Sequence, residues 1–301
     1  MTDGAKDLAC SEQSRAAQEP LAGTAAHGVD HWLVLEVRGV WERKVLDCLA
    51  LGDVRTLLER WEKQHPRLRI QLIRRPEDHE PDGTLRVFVA TVTLDRRQIL
   101  AGTIDSPREL EEVDIDAVLT AGRDPAGRLQ AWSQPLFLVC GHGRRDRSCG
   151  RRGTPIYQRL RELAPTSTWQ TSHTGGHRFA PTLIHLPSGL CYGRVEAEEC
   201  SRLVESAERD EVYDVERLRG RCCLGRAGQA AEVDSIRGDP EFRLASCSER
   251  PEEDGSISVT LGAVSGAERV LRLRYETLDQ PGVESSCGSQ KIKPVGVWAL
   301  A

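Results

Sequence analysis

The chain has 301 residues, of which 39% are hydrophobic and 29% charged, and its formal net charge is −5. This composition is typical of a soluble globular protein with enough apolar material for two domains of ordinary size. No stretch approaches the ~18 apolar residues of a membrane-spanning helix, and the negative charge argues against general nucleic-acid binding.

Hydrophobic periodicity predicts an α/β region in the first part of the chain. Residues 1–28 are polar and rich in Gly and Ala, which indicates a loosely ordered lead-in. After it, the predicted elements in chain order are a strand at 32–37, a helix at 52–65, strands at 68–73 and 85–92, a helix at 109–119 and a linker at 122–127.

The second region repeats this order more clearly. Its predicted elements are a strand at 136–139, a Gly/Arg loop at 141–153, a helix from Thr154 to Pro165, strands at 169–172, 182–186 and 190–195, and a helix at 196–209. This order favours a mixed sheet flanked by helices, and its similarity to the first region suggests a diverged duplication.

The pattern is weaker from Val212 onward, with a helix predicted at 230–237 and strands at 256–261 and 270–277. We therefore predict an α/β protein in three parts. These are an N-terminal α/β domain with its lead-in (1–127), a central α/β domain (128–211) and a C-terminal α+β extension (212–301).

Charge is unevenly distributed along the chain. The segment from Cys140 to Arg194 contains nine Arg, no Lys and two acidic residues, a local charge of +7, so the remainder carries −12. Such a basic segment indicates either an anionic ligand or partner or a solvated basic face, and the sequence leaves both open.

The ten cysteines do not read as a disulfide framework, because the chain is long, has the composition of a cytoplasmic protein and lacks a C-x-x-C motif. Most are expected to be small buried residues. We predict a cytoplasmic location.

Two cysteines and two histidines have the spacing of a ligand set. Cys140 and Cys149 are separated by eight residues, and His173 and His177 by three. Gly175 and Gly176 between the histidines allow the backbone to fold tightly, so that both rings can face one point. The four side chains are therefore a candidate metal site.

The spacing does not identify which metal the site would bind. A Cys₂His₂ set is a zinc pattern, but zinc fingers bring their cysteines within about two to four residues of each other. The longer step from Cys140 to Cys149 suits a loop around an iron–sulfur cluster, although it differs from the Rieske arrangement. A third interpretation, an enzyme with Cys140 as nucleophile and His142 or His173 as base, lacks an identifiable oxyanion site.

Several motifs around these residues resemble the sucrase/ferredoxin-like family. They are Cys140–Cys149 (CGHGRRDRSC), 171–180 (TSHTGGHRFA), Leu186–Gly189 and Tyr192–Val195, with looser similarity at Cys10–Ser11, 20–25 and 286–288. The resemblance is dense from about residue 135 to residue 196. One departure is Ser148, where many relatives carry a second cysteine.

The resemblance implies a thioredoxin-like domain over residues 128–211 that holds a bis-histidinyl [2Fe–2S] cluster. The implied cluster ligands are Cys140, Cys149, His173 and His177. Zinc remains the alternative metal. The word "sucrase" implies no activity here, since no paired carboxylates for glycoside hydrolysis stand out.

From this resemblance we predict a non-enzymatic electron-transfer or redox-sensing protein. Neutral imidazole ligands make a cluster less negative than four thiolates do, which raises its potential above that of plant-type ferredoxins and couples reduction to protonation. Six neighbouring residues are expected to orient the ligands or steer an acidic redox partner: His142, Arg144, Arg145, Asp146, Arg147 and Arg178. The alternative function is a zinc-stabilised interaction module that binds an anionic partner.

Overall fold

The computed structural model describes residues 9–77 and 83–301. The helices are α1 (Cys10–Ala16), α2 (Val54–Gln64), α3 (Ile115–Ala121), α4 (Arg147–Leu163), α5 (Cys200–Glu208) and α6 (Arg226–Gly238). The strands are β1 (His31–Glu36), β2 (Leu68–Arg74), β3 (Leu85–Val92), β4 (Arg97–Ile104), β5 (Gln130–Trp132), β6 (Leu136–Cys140), β7 (Thr168–Thr171), β8 (Thr182–Leu186), β9 (Leu190–Gly193), β10 (Leu218–Arg221), β11 (Leu244–Pro251), β12 (Ile257–Ala263), β13 (Glu268–Thr277), β14 (Val283–Glu284), β15 (Ile292–Lys293) and β16 (Gly296–Leu300). In the described residues, no helix is both long and apolar enough to cross a membrane.

Ten strands form one mixed sheet in the order β10-β9-β8-β6-β7-β2-β1-β3-β4-β5, with helices packed against it. The predicted α/β class, a mixed sheet flanked by helices, is confirmed. A second sheet of four strands has the order β11-β12-β13-β16, and α6 contacts both β10 of the first sheet and β12 of the second.

The large sheet consists of two halves with the same topology. In the first, β1 pairs with β2 in parallel and with β3 antiparallel, and β4 continues from β3. In the second, β6 pairs in the same way with β7 and β8, and β9 continues from β8. The halves join where β2 meets β7, through the pairs Ile73–Thr171 and Arg74–Gln170.

The sheet continues across both predicted domain boundaries. Strand β5, just after residue 127, pairs with β4, and β10, which lies beyond residue 212, pairs with β9. Apolar side chains also join the halves, because Trp32 and Val34 of β1 share a buried cluster with Leu136 and Leu138 of β6. The three-part division stays a prediction about folding units.

The lead-in is one segment that differs from its prediction. Residues 1–8 lie outside the described residues, whereas residues 10–16 form α1 instead of a loose segment. Cys10 and Ser11 are fully buried, because α1 packs against the turn at His177–Phe179 and against β14. Tertiary packing orders a segment whose composition alone suggests disorder.

Another difference lies between β3 and β5. Residues 97–104 form β4, which the sequence analysis did not predict, and the helix predicted at 109–119 is two pieces. The first piece is a 3-10 helix over Pro107–Glu112. The second piece, α3, begins as a separate helix because the side chain of Asp114 accepts a hydrogen bond from Ala117 N. An Asp cap inside an apolar periodic run ends one helix and begins the next.

The buried His185 in β8 predicts a pH-dependent stability. Its ring stacks on Phe137, and its Nδ1 lies 2.7 Å from Ser188 Oγ. Burial, followed by the charges of Arg221 and Arg97, lowers the pKa of His185 from 6.5 to about 3. Between these values the unfolded chain binds a proton that the folded chain does not, so the free energy of unfolding rises with pH.

We expect this rise to reach ~1.4 kcal/mol per pH unit within the window. Urea unfolding measured at several pH values should show a shallower slope for His185→Gln than for the wild type. Equal slopes in the two proteins would contradict the assignment.

Candidate metal centre

Strand β6 and helix α4 place the two candidate cysteine ligands. Cys140 is the last residue of β6, and Cys149 lies in the first turn of α4. The prediction of a loop up to residue 153 and a helix from Thr154 is wrong. The helix begins at Arg147, because the Asp146 side chain accepts a hydrogen bond from Ser148 N at 2.8 Å and caps it. Pro155 lies inside the helix instead of at its start.

Helix α4 approaches β6 so closely that one position between them must be glycine. A Cβ atom on Gly153 would overlap the carbonyl oxygen of Cys140. The bare backbone at Gly153 therefore sets the separation of β6 and α4, and with it the separation of Cys140 and Cys149.

Gly153→Ala is expected to push α4 away from β6. Overpacking of this kind costs about 1–3 kcal/mol in unfolding free energy and should also weaken metal binding. Gly238→Ala is the matched control, since nothing lies within 4 Å of its added Cβ. Urea midpoints that are equal for the two variants would contradict the close contact.

Three of the four predicted ligands lie together. His173 Nδ1 lies 3.6 Å from Cys149 Sγ and 3.9 Å from Cys140 Sγ, and the three donor atoms all lie within 4.8 Å of one another. Both thiols are fully buried. A tetrahedral ion with metal–sulfur bonds of ~2.3 Å and metal–nitrogen bonds of ~2.0 Å separates such donors by about 3.5 Å. The group fits a metal ion with little movement.

The pKa values of the two thiols are shifted in opposite directions. The hydrogen bond from Cys149, together with the hydrogen bond and charge of His173, holds the pKa of Cys140 well below its usual range despite burial. The same pairing with Cys140, together with burial, raises the pKa of Cys149. Cys140 is therefore the thiol of the pair that loses its proton more readily, and the thiolate is the form that binds metals.

Two glycines and His142 hold His173. Gly175 and Gly176 have φ angles of 88° and 73°, which side chains disfavour, so the chain turns sharply between the two histidines. The backbone N–H of His173 donates to Nδ1 of His142 at 3.2 Å. His142 is itself buried, and its ring meets Trp41 edge-on at 5.7 Å.

His177 belongs to a second, adjacent group. Its ring centroid lies 5.5 Å from that of His173, but its Nδ1 faces Asp146 at 3.4 Å and Cys10 Sγ at 3.6 Å. Nε2 is therefore the His177 nitrogen available to a metal at the first group. A ligand histidine whose other nitrogen faces a carboxylate is common in metal sites.

Asp146 is the charged residue of the second group. Burial raises its pKa, but hydrogen bonds from the backbone of Cys287 and Ser148 and the charge of His177 outweigh burial, so the pKa lies below its usual range. Asp146 therefore stays ionised. One carboxylate caps α4, faces His177 and accepts the N–H of Cys287 at 3.0 Å.

The four predicted arginines lie in different surroundings. Arg178 forms an ion pair with the buried Glu19 at 2.6 Å, so this charge is already matched inside the protein. Arg144 pairs with Glu42 at the surface. Arg144, Arg145 and Arg147 line a cavity of about 300 Å³ with Cys287, beside the candidate metal centre.

A family model described as sucrase/ferredoxin-like matches residues 21–220, about two-thirds of the chain. The chain belongs to the sucrase/ferredoxin-like family. This match confirms the resemblance seen in the sequence motifs.

Curated relatives in yeasts carry the name "Altered inheritance of mitochondria protein 32". The protein of Meyerozyma guilliermondii is 33% identical over 96 residues, 28% of this chain and 34% of that protein. The Saccharomyces kudriavzevii protein is 32% identical over 106 residues, 31% of this chain and 32% of its own length. The chain thus spans about a third of the length of these relatives. No solved structure matches the chain.

These names overturn the predicted function. An electron-transfer or redox-sensing ferredoxin-like protein was expected, with a zinc-stabilised interaction module as the alternative. The curated relatives are instead named for altered inheritance of mitochondria, and the names describe no ferredoxin. The predicted function is therefore wrong, because a family name that contains "ferredoxin" does not carry that activity to its members.

Sequence reasoning missed Cys10, Cys287 and Ser148 as parts of the site. Cys10 and Cys287 lie at opposite ends of the chain, yet their sulfur atoms are 3.4 Å apart, and Ser148 Oγ lies between 3.1 and 3.5 Å from both. The looser family similarity at residues 10–11 and 286–288 was the signal that could have identified them.

Proposed function

We propose that this protein is a metal-binding protein whose centre is held by Cys140, Cys149 and His173, with His177 as the fourth ligand. The observation that carries the proposal is the group of three donor atoms, from two buried thiols and the partly buried His173, which lie within 4.8 Å of one another. Two thiols and an imidazole are soft and borderline ligands, which favour iron, zinc or copper over magnesium or calcium.

The cofactor expected from the sequence, a [2Fe–2S] cluster, becomes part of this proposal, and zinc is the alternative. Both take thiolate and imidazole ligands. The 3.6 Å and 3.9 Å separations suit one ion as the side chains stand, whereas a cluster with the cysteines on one iron and the histidines on the other needs His173 farther from the thiols. Bound iron–sulfur would supply redox capacity, and bound zinc would supply rigidity.

The surrounding residues prepare the site for either cofactor. The lowered pKa of Cys140 favours the thiolate that a metal binds, and the backbone N–H of His173 donates to Nδ1 of His142. Asp146 holds Nδ1 of His177, which leaves Nε2 for the metal. Burial of both thiols keeps water and other nucleophiles from competing for the metal.

Metal and acid-labile sulfide content of anaerobically purified protein tests the proposal. Stoichiometric iron with an equal amount of sulfide and a visible absorption band would support the cluster. Stoichiometric zinc without sulfide would support the zinc form of the same centre. Protein that contains no metal, and takes up neither iron with sulfide nor zinc on reconstitution, would overturn the proposal.

The remaining predictions extend this proposal. Arg144, Arg145 and Arg147 form a basic surface beside the centre that would attract an acidic protein partner, with no role for nucleic acid or membrane. A cytoplasmic location completes the proposal. Pull-down with surface-charge variants and fractionation of cells test these two points.

A further inference from the structure

Cys10 and Cys287 bring the two ends of the described chain together. Cys10 lies at the start of α1, and Cys287 lies in the turn between β14 and β15. Their sulfur atoms are 3.4 Å apart although their positions in the chain differ by 277. The distance between the two sulfur atoms needs to shorten by little more than 1 Å to reach the ~2.05 Å bond length of a disulfide.

Other contacts already hold these two segments in place. Glu284 N donates to Gln13 Oε1 at 3.1 Å, and Gln280 Nε2 donates to the carbonyl oxygen of Ala17 at 3.1 Å. The backbone N–H of Cys287 is fixed by Asp146. The two thiols therefore meet in the folded protein through an arrangement that does not depend on a bond between them.

The two thiols differ in access. Cys10 is fully buried, whereas Cys287 is only partly buried and lines the cavity of about 300 Å³. The same cavity is lined by Arg43, Arg144, Arg145 and Arg147, against the single carboxylate of Asp146. A small reagent that reaches Cys287 thus passes four guanidinium groups, one of which, that of Arg144, is paired with Glu42, and the excess of positive charge favours an anion.

We propose that Cys10 and Cys287 form a reversible disulfide by exchange with an anionic small disulfide, such as oxidised glutathione, that enters through this arginine-lined cavity. The pair adjoins the metal centre, since Cys10 Sγ lies 3.6 Å from Nδ1 of His177, but neither thiol is among the four proposed ligands. The reaction connects α1 to the C-terminal segment covalently.

The exchange takes place in two steps. The Cys287 sulfur, as thiolate, attacks one sulfur of the small disulfide and releases the other half as a thiol that carries the former Cys287 proton. The Cys10 sulfur then attacks Cys287 in the mixed disulfide and releases the second half, which takes the Cys10 proton. Two protein thiols are oxidised and one small disulfide is reduced to two thiols.

The full-length protein with its metal is treated with oxidised glutathione, alkylated and mapped by peptide mass spectrometry. The wild type should give a linked Cys10–Cys287 peptide pair that dithiothreitol separates. Cys10→Ser should retain one glutathione on Cys287, because the resolving thiol is missing. Cys287→Ser should give neither product, and Cys247→Ser, a partly buried cysteine in β11, should behave as the wild type.

The role of the arginines is tested by comparing an anionic with a cationic disulfide reagent. Oxidised glutathione should react about tenfold faster than the cationic disulfide cystamine, and Arg147→Gln should reduce this preference. Equal rates would overturn the role of the cavity. Cys10 and Cys287 that remain alkylatable after treatment would overturn the disulfide. Protection of both cysteines by added zinc, without a linked peptide, would do so too and would assign the pair to a metal with Asp146 and His177.

Discussion

Cys140→Ser is expected to abolish stoichiometric metal binding while leaving the fold intact. The variant removes the candidate ligand whose thiol has the lowered pKa, and a neutral hydroxyl is a poor ligand for soft metals. Because the loss of a residue that merely orients a ligand lowers metal affinity about 10- to 100-fold, we expect a larger loss here. Metal content after purification and metal titration both measure it.

A matched control separates this effect from unfolding. Cys200→Ser replaces an equally buried thiol in α5, whose sulfur lies 3.7 Å from the carbonyl oxygen of Glu196 and far along the chain from the candidate ligands. This variant should keep its metal. Circular dichroism should report the same helix and strand content for both variants. Wild-type metal content in Cys140→Ser would remove Cys140 from the ligand set.

Glu232→Gln is expected to cause the largest loss of stability among the substitutions considered for the fold. Glu232 in α6 accepts hydrogen bonds of 2.9 and 3.1 Å from Arg221 in β10, and both side chains are almost completely buried. Removal of one member leaves an uncompensated buried charge, which costs about 3–5 kcal/mol. Urea unfolding measures the loss.

Two further variants make the result specific. Glu216→Gln breaks the solvent-exposed pair with Arg237 and should cost less than about 1 kcal/mol. The double variant Arg221→Met, Glu232→Leu removes both buried charges, so it should recover most of the stability lost in Glu232→Gln. A Glu232→Gln variant as stable as Glu216→Gln would show that the buried pair contributes nothing to holding α6 against the large sheet.

Local patterns predicted the elements whose signals are complete within a few residues. The bounds predicted for β3, 85–92, match the structure, because an apolar strand there follows a turn rich in Pro, Asp and Gly. Strand β4 was missed, since its apolar run is interrupted by Gly102, which packs against the backbone at Arg128. The start of α4 was misplaced because Pro155 is a strong local start signal, whereas the cap at Asp146 is a weaker one.

The same distinction between local and long-range signals applies to the candidate site. The pairs Cys140/Cys149 and His173/His177 were visible from their spacing and from the family motif. The sequence did not show that His177 belongs to a second group, with its Nδ1 facing Asp146 and Cys10, because this arrangement depends on where α1 packs. The contact of Cys10 with Cys287 joins the two ends of the chain, and no local pattern encodes such a contact.

The short pairing between β2 and β7 gives the molecule the geometry of a fused homodimer. Two halves of equal topology meet at equivalent strands, as two identical subunits do across an isologous interface. Because only the last residues of each strand pair, the carboxyl ends of both halves converge there. The half without candidate ligands thus lies against the other half's centre. Trp41 contacts His142, and Glu42 contacts Arg144. Substitutions of Trp41 and Glu42 therefore reach the surroundings of the centre from the half that contributes no candidate ligand.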